Sequence, residues 1–175
     1  MEAYIGLVKA YPLLMAAIQF AILGLFGEIL AYMFREKKMA IPFTVTQFLA
    51  KMVAWAMLGI VIKYGFVLMK GGVVNWIDHG LLPEFCREGL PWAFTVSITT
   101  NGIFGPVMMF FHRIEDNIID GKKGFDGIQK SLKTLVWFWP LAHTFTFSLP
   151  TDYQIGIAAL WSVVLGIIMG IGIKR

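Results

Sequence analysis

The sequence predicts an all-α protein: a multi-span transmembrane bundle of about five helices, forming a single transmembrane domain over residues 1–175. Three observations predict it. Hydrophobic residues make up 58% of the chain and charged residues only 15%, whereas a soluble domain is nearer one half apolar and one quarter charged. Mean hydropathy is +0.71, and no polar segment is long enough to build a core of its own. Apolar runs of about twenty residues recur, and they are continuous rather than alternating, which selects helices over a β-barrel.

Span one is expected over 11–34. It covers ~36 Å at the helical rise, enough to cross a bilayer with tilt. It ends in Arg35-Glu36-Lys37-Lys38, and Pro42 suits the first turn of the next helix. Span two, 45–69, contains Lys51 and Lys63 and is expected to stop at Lys70-Gly71-Gly72. The mixed segment 73–89 reads as a short amphipathic piece at the interface. Span three, 91–111, is polar in its middle, with Thr95, Ser97, Thr99, Thr100 and Asn101. Charge and glycine make 112–130 an exposed loop with one short helix. Span four, 131–149, carries Trp137 and Trp139 before Pro140 and His143 between Pro140 and Pro150, and Pro150-Thr151-Asp152-Tyr153 forms a tight turn. Span five is expected over 154–173.

The opening Met1-Glu2-Ala3 lacks a basic stretch, and the first apolar run exceeds a signal-peptide core, so that run is expected to be retained. Cys86 is the one cysteine, which excludes an intrachain disulfide. Five spans place Arg35, Lys37, Lys38, Arg113, Lys122, Lys123, Lys130, Lys133, Lys174 and Arg175 on one side, against Lys9, Lys70 and Arg87 on the other. That asymmetry predicts a C-terminus on the cytoplasmic-equivalent side of a bacterial inner membrane or an organellar membrane.

Charges inside the spans are the candidate functional residues, because each costs at least ~2.5 kcal/mol in hydrocarbon unless it faces protein or water. Glu28 and Lys51 lie at similar depth, ~9 Å from the inner boundary. Ala17, Ala21, Gly24 and Glu28 share a small-residue face suited to helix packing. The expectation is a Glu28–Lys51 pair joining spans one and two; the alternative is that each snorkels separately to the interface. Lys63, Asn101 and His143 read together as lining a water-accessible cavity in the outer half, with Gln19, Thr99 and Thr144 nearby. The hydroxyls taken alone read as bonding the carbonyl one turn back. Span five repeats small residues at Ala158, Ser162, Gly166 and Gly170, which fits close helix packing within the bundle or across a homo-oligomer. Trp92, Trp137 and Trp139 read as interfacial anchors or bundle packing.

No phosphate loop, dinucleotide fingerprint or hydrolase triad spacing is present. Three scattered histidines and one cysteine make neither a zinc site nor a paired haem site. No catalytic residue, cofactor, metal or nucleic-acid partner is expected.

Three segments resemble the Mpv-type family of peroxisomal and mitochondrial inner-membrane proteins. They are Gly24-Leu25-Phe26-Gly27-Glu28; Gly102-Ile103-Phe104-Gly105-Pro106 with Phe110-Phe111-His112-Arg113 and Asp116; and Trp139-Pro140-Leu141-Ala142-His143 with Phe147, Pro150 and Trp161-Ser162-Val163-Val164-Leu165. The chain departs from the family pattern at His143, where glutamine is usual, and at Thr146, where asparagine is usual. Span two has no clear counterpart, since the family is described with four spans. The resemblance implies a weakly selective channel for small solutes, a kink at Pro106, and Glu28, Asn101 and His143 beside the pathway. Pro140 and Gly105 join these as kink and packing positions. The alternative is a non-catalytic anchor or accessory subunit of a larger membrane complex. A proton-coupled transporter using Glu28, Lys63 and His143 is a third reading, and no inverted repeat supports it.

Overall fold

A computed structural model of the chain describes residues Glu2–Ile171, and every regular element among them is a helix. Four helices are long and apolar enough to cross a membrane: Pro12–Glu36, Val45–Asp78, Gly89–Asp120 and Thr151–Ile171. The all-α bundle is therefore as expected, and the span boundaries shift. Residues 172–173, which close the expected span five, lie outside the described residues, as do Lys174 and Arg175 of the charge comparison. The chain divides into two compact units, one built on Met1–Ile60 with Ile155–Arg175 and one on Val61–Gln154.

In the first unit, α1 (Glu2–Ala10) precedes α2 (Pro12–Glu36). Pro12 causes the break, because a residue before proline is pushed out of the α region and Tyr11 sits at φ −134°, ψ 60°. Helix α2 ends at Lys37, which takes the left-handed conformation with φ 53°. Helix α3 (Val45–Asp78) gives this unit its first turns. Pro42 lies before the helix rather than in its first turn. The start is instead set by a capping box, in which the Gln47 amide donates to Thr44 Oγ1 at 3.2 Å and the Thr44 amide donates to Gln47 Oε1 at 3.1 Å. Helix α8 (Thr151–Ile171) packs on α2 through small residues. A methyl group built at Gly27 would lie 2.8 Å from the Ser162 carbonyl oxygen, and one at Gly170 would lie 2.7 Å from that of Ala31. Gly166 faces the Gly27 carbonyl with no more room. The small-residue repeat thus packs inside the chain, backbone against backbone.

In the second unit, α3 runs through Gly71 and Gly72, where an end was expected. Phe66, Met69, Val73 and Ile77 recur at helical spacing and are all buried, so one apolar stripe spans the glycines. The helix stops at Gly80, with φ 70°. There the Leu81 amide donates to the Trp76 carbonyl at 2.8 Å and the Gly80 amide to that of Ile77 at 2.9 Å, the Schellman pattern. No amphipathic interfacial helix occupies 73–89; residues 73–78 finish α3, and a single 3₁₀ turn covers Glu84–Arg87. Arg87 holds this connection together, donating to Asp78 Oδ1 at 2.9 Å and to both Glu84 oxygens.

Helix α4 (Gly89–Thr99), a π turn (Thr100–Phe104) and α5 (Gly105–Asp120) form one continuous rod. Span three therefore continues through the charged residues 112–120, which were expected in a loop. Helix α5 stops at Gly121, with φ 63°. Span four is two helices, α6 (Ile128–Trp137) and α7 (Trp139–Ser148), divided at Phe138. Pro140 has no amide hydrogen to give the Val136 carbonyl, so the helix breaks within one turn before it. Helix α5 lies against α6, and α4 against α7.

Candidate functional site

Three polar side chains of the second unit, Ser97, Asn101 and His143, meet at the π turn. Ser97 and Asn101 are one turn apart, on the same face of the helix. The Gly105 amide reaches back five residues to the Thr100 carbonyl, which makes the turn wide. Pro106 follows directly, so the irregularity lies just before the proline, as its missing donor requires. Gly105 is buried against Leu135, where a methyl group would come within 2.7 Å of Cδ2.

Asn101 is 4% exposed and bonded on both ends of its amide. His143 Nδ1 lies 3.0 Å from Asn101 Oδ1. Asn101 Nδ2 donates to Ser97 Oγ at 3.4 Å, and Ser97 Oγ donates to the Pro140 carbonyl at 2.8 Å. An amide oxygen only accepts, so His143 must carry its proton on Nδ1. That leaves Nε2 of the neutral ring as a bare acceptor. The chain therefore has a fixed direction, from imidazole to amide to hydroxyl to carbonyl. Aromatic rings enclose the imidazole: Trp139 at 4.9 Å, Phe66 edge-on at 5.6 Å and Phe147 at 5.8 Å between centroids. Near the π turn and the imidazole, Thr100 Oγ1 and Trp139 Nε1 have no hydrogen-bond partner; farther along α5 the same holds for both carboxylate oxygens of Glu115, which lie 3.9 Å or more from His112. Thr100 is 1% exposed, so its lone hydroxyl carries a full desolvation penalty, about 1–3 kcal/mol.

Other hydroxyls follow the simpler pattern. Thr144 Oγ1 donates to the Pro140 carbonyl at 2.6 Å, and Thr146 Oγ1 to that of Ala142 at 2.8 Å. Thr99 joins no side-chain hydrogen bond among the described residues. Lys63 is half-buried on α3. Lys70, also half-buried, donates to Gln154 Oε1 at 3.0 Å, and Gln154 Nε2 donates to the Leu149 carbonyl at 2.9 Å.

The first unit handles its charges differently. Lys51 is 3% exposed, and its Nζ lies 2.9 Å from Glu28 Oε2. The other carboxylate oxygen accepts from Trp55 Nε1 at 2.6 Å. Lys51 also lies 5.3 Å from the Phe43 ring centroid, a cation–π distance. The Trp55 ring covers Gly24, where no side chain would fit, and stacks on Phe20 at 6.4 Å. The pair expected from equal depth is therefore present. Gln19 accepts from Tyr4 Oη at 3.2 Å, while its Nε2 has no partner.

The sequence thus brings Asn101, His143, Thr144 and Pro140 together in the second unit and Glu28 with Lys51 in the first. Thr99 joins neither set. Trp55, Lys70 and Gln154 were not singled out beforehand. Lys70 was findable, since it follows Lys63 by two helical turns. The Trp55–Glu28 bond was not, because nothing local links residues 27 positions apart. Compared with protein-family models, curated proteins and solved structures, the chain matches none.

Proposed function

We propose that the protein is a membrane channel for small solutes whose polar path runs through the second unit. One observation carries the reading: the directional chain from His143 through Asn101 and Ser97 to Pro140, set at a π turn inside apolar helices. Such chains are expensive to place in a bilayer, and π turns recur at functional positions. The bare Nε2 of His143 and the lone Thr100 hydroxyl are groups a passing water or hydroxylated solute would bond. The resemblance to the Mpv-type family points the same way, with His143 replacing the usual glutamine. The reading includes no catalytic step.

A second reading keeps the chain as helix glue in a non-conducting subunit of a larger membrane complex. What favours it is the closure of the chain, in which each donor from imidazole to hydroxyl meets an acceptor. Solute release from liposomes holding the purified protein separates the two. Release of small uncharged solutes, altered by His143→Ala, is the channel outcome. Folded protein that releases no more than empty liposomes is the subunit outcome, and co-purifying partners are then the next measurement.

A further inference from the structure

Lys63, Phe66 and Lys70 occupy positions i, i+3 and i+7 of α3 and so share one face. Phe66 fixes where that face points, because its ring contacts His143 and Phe147 of α7. Both lysines are half-buried, and their charges repel each other. Neither makes an ion pair among the described residues. Lys70 is held only by the neutral amide of Gln154. Of the neighbouring elements, α4, the π turn, α6 and α7 contain no aspartate or glutamate, and Asp152, two residues before Gln154 on α8, pairs with neither lysine.

A buried or half-buried ammonium in an apolar bundle ordinarily has an anionic partner. Lys51 of the same helix has one. On the Lys63–Lys70 face the protein provides two positive charges and an amide, and no carboxylate pairs with either lysine among the described residues. We propose that this face binds a small oxyanion, a carboxylate or a phosphate group, and that anionic solutes are therefore the ones the polar path favours. The second half rests on the channel reading; the first half does not. The oxyanion has two natural sources, a free solute or the headgroup of an anionic lipid, and both present the same chemistry to the lysines.

The test begins with the purified full chain in neutral detergent, titrated with inorganic phosphate at constant ionic strength. Phosphate is expected to raise the midpoint of thermal unfolding by about 2–4 °C at several times its Kd. Lys63→Gln and Lys70→Gln each lose most of that shift, Lys63→Arg keeps it, and Lys122→Gln in the loop leaves it unchanged. An equal shift in the wild type and the double Lys63→Gln, Lys70→Gln variant overturns the site. Phosphatidylglycerol in the micelles distinguishes the sources. If it stabilises the wild type alone and abolishes the phosphate shift, the bound group is a headgroup; if the shift persists, it is a free solute. Liposome release of acetate and of glycerol then tests selectivity. A wild-type preference for acetate that the double variant loses supports it. Glycerol release without that preference overturns selectivity and leaves the channel standing. Release of neither, with phosphate binding intact, overturns the channel and leaves the site.

Discussion

The two units solve the same problem in opposite ways. In the first, a lysine and a glutamate are neutralised against each other, both carboxylate oxygens are occupied, and glycines let α8 press its backbone onto α2. In the second, two lysines and an imidazole stand without a carboxylate, a hydroxyl is stranded, and the central helix is widened by a π turn. The first arrangement meets its buried lysine with a carboxylate of its own. The second leaves unmatched groups that water, a solute or an anion would satisfy. The lesson is that a membrane charge is uninformative by itself: what distinguishes scaffold from site is whether the protein supplies the partner.

The sharpest way to break this contrast is to open the closed unit. Glu28→Ala takes from the buried Lys51 the carboxylate that lies 2.9 Å away, and should destabilise the protein by about 3 kcal/mol in detergent unfolding. The double variant Glu28→Leu, Lys51→Met removes both charges and should recover most of that loss. Equal losses in the single and double variants would show that the pair is not a unit.

Next in size are the glycines. Gly166→Val adds atoms where the Gly27 backbone already sits, an overpacking that costs about 1–3 kcal/mol by the same measurement. Gly102→Ala, in the π turn, has nothing within 4 Å of the new methyl and should change unfolding little. His143→Ala is expected to fall in a similar range, about 1–3 kcal/mol, because it strands the Asn101 carbonyl. Pairing His143→Phe with Asn101→Leu should restore stability while abolishing solute release. Those two readouts separate in the second unit if the polar chain is functional, and move together if it is glue.

The smallest effect lies outside the membrane. A hydrogen bond from Arg87 holds the Glu84 carboxyl below its ordinary value of 4.5. Because the native value lies below the unfolded one, this contribution is fully present above 4.5 and is lost as pH falls through the native value. Arg87→Gln should therefore speed amide exchange over residues 79–88 near neutral pH and matter less in acid. A difference that grows in acid would assign the connection to something other than this bond.

Much of this was legible in the sequence, for identifiable reasons. Equal depth from the span ends was enough to join Glu28 with Lys51, because helical rise converts residue counts into height. The four-residue period of Ala158, Ser162, Gly166 and Gly170 announced a close packing face but could not name Gly27 and Ala31 as its partners. Gly71 and Gly72 looked like a terminus because glycine weakens a helix locally. The buried side chains of Val73 and Ile77, a tertiary fact, overruled it. The division of span four at Phe138 was signalled by Pro140. The π turn carried no marker beyond Pro106, since it depends on where Gly105 meets Leu135. The bond from Trp55 to Glu28 was invisible for the same reason, being a contact between helices.

The π turn also works as a change of phase. Each residue of a regular helix rotates the next by about 100°, so one surplus residue in 100–104 reorients all of α5 about its own axis. Gly105 meets Leu135, and Phe110 meets Phe125 at 5.4 Å, only because that extra rotation is in place. Winding the same residues as a regular helix would turn Gly105 and Phe110 away from Leu135 and Phe125, whereas deleting Gly102 would remove the surplus residue together with the wide turn and keep both contacts. The same geometry lets a local rewinding act at a distance. If the wide turn closed to regular winding with its surplus residue still in place, the helix beyond it would swivel about its own axis, moving its charged end without bending the apolar stem.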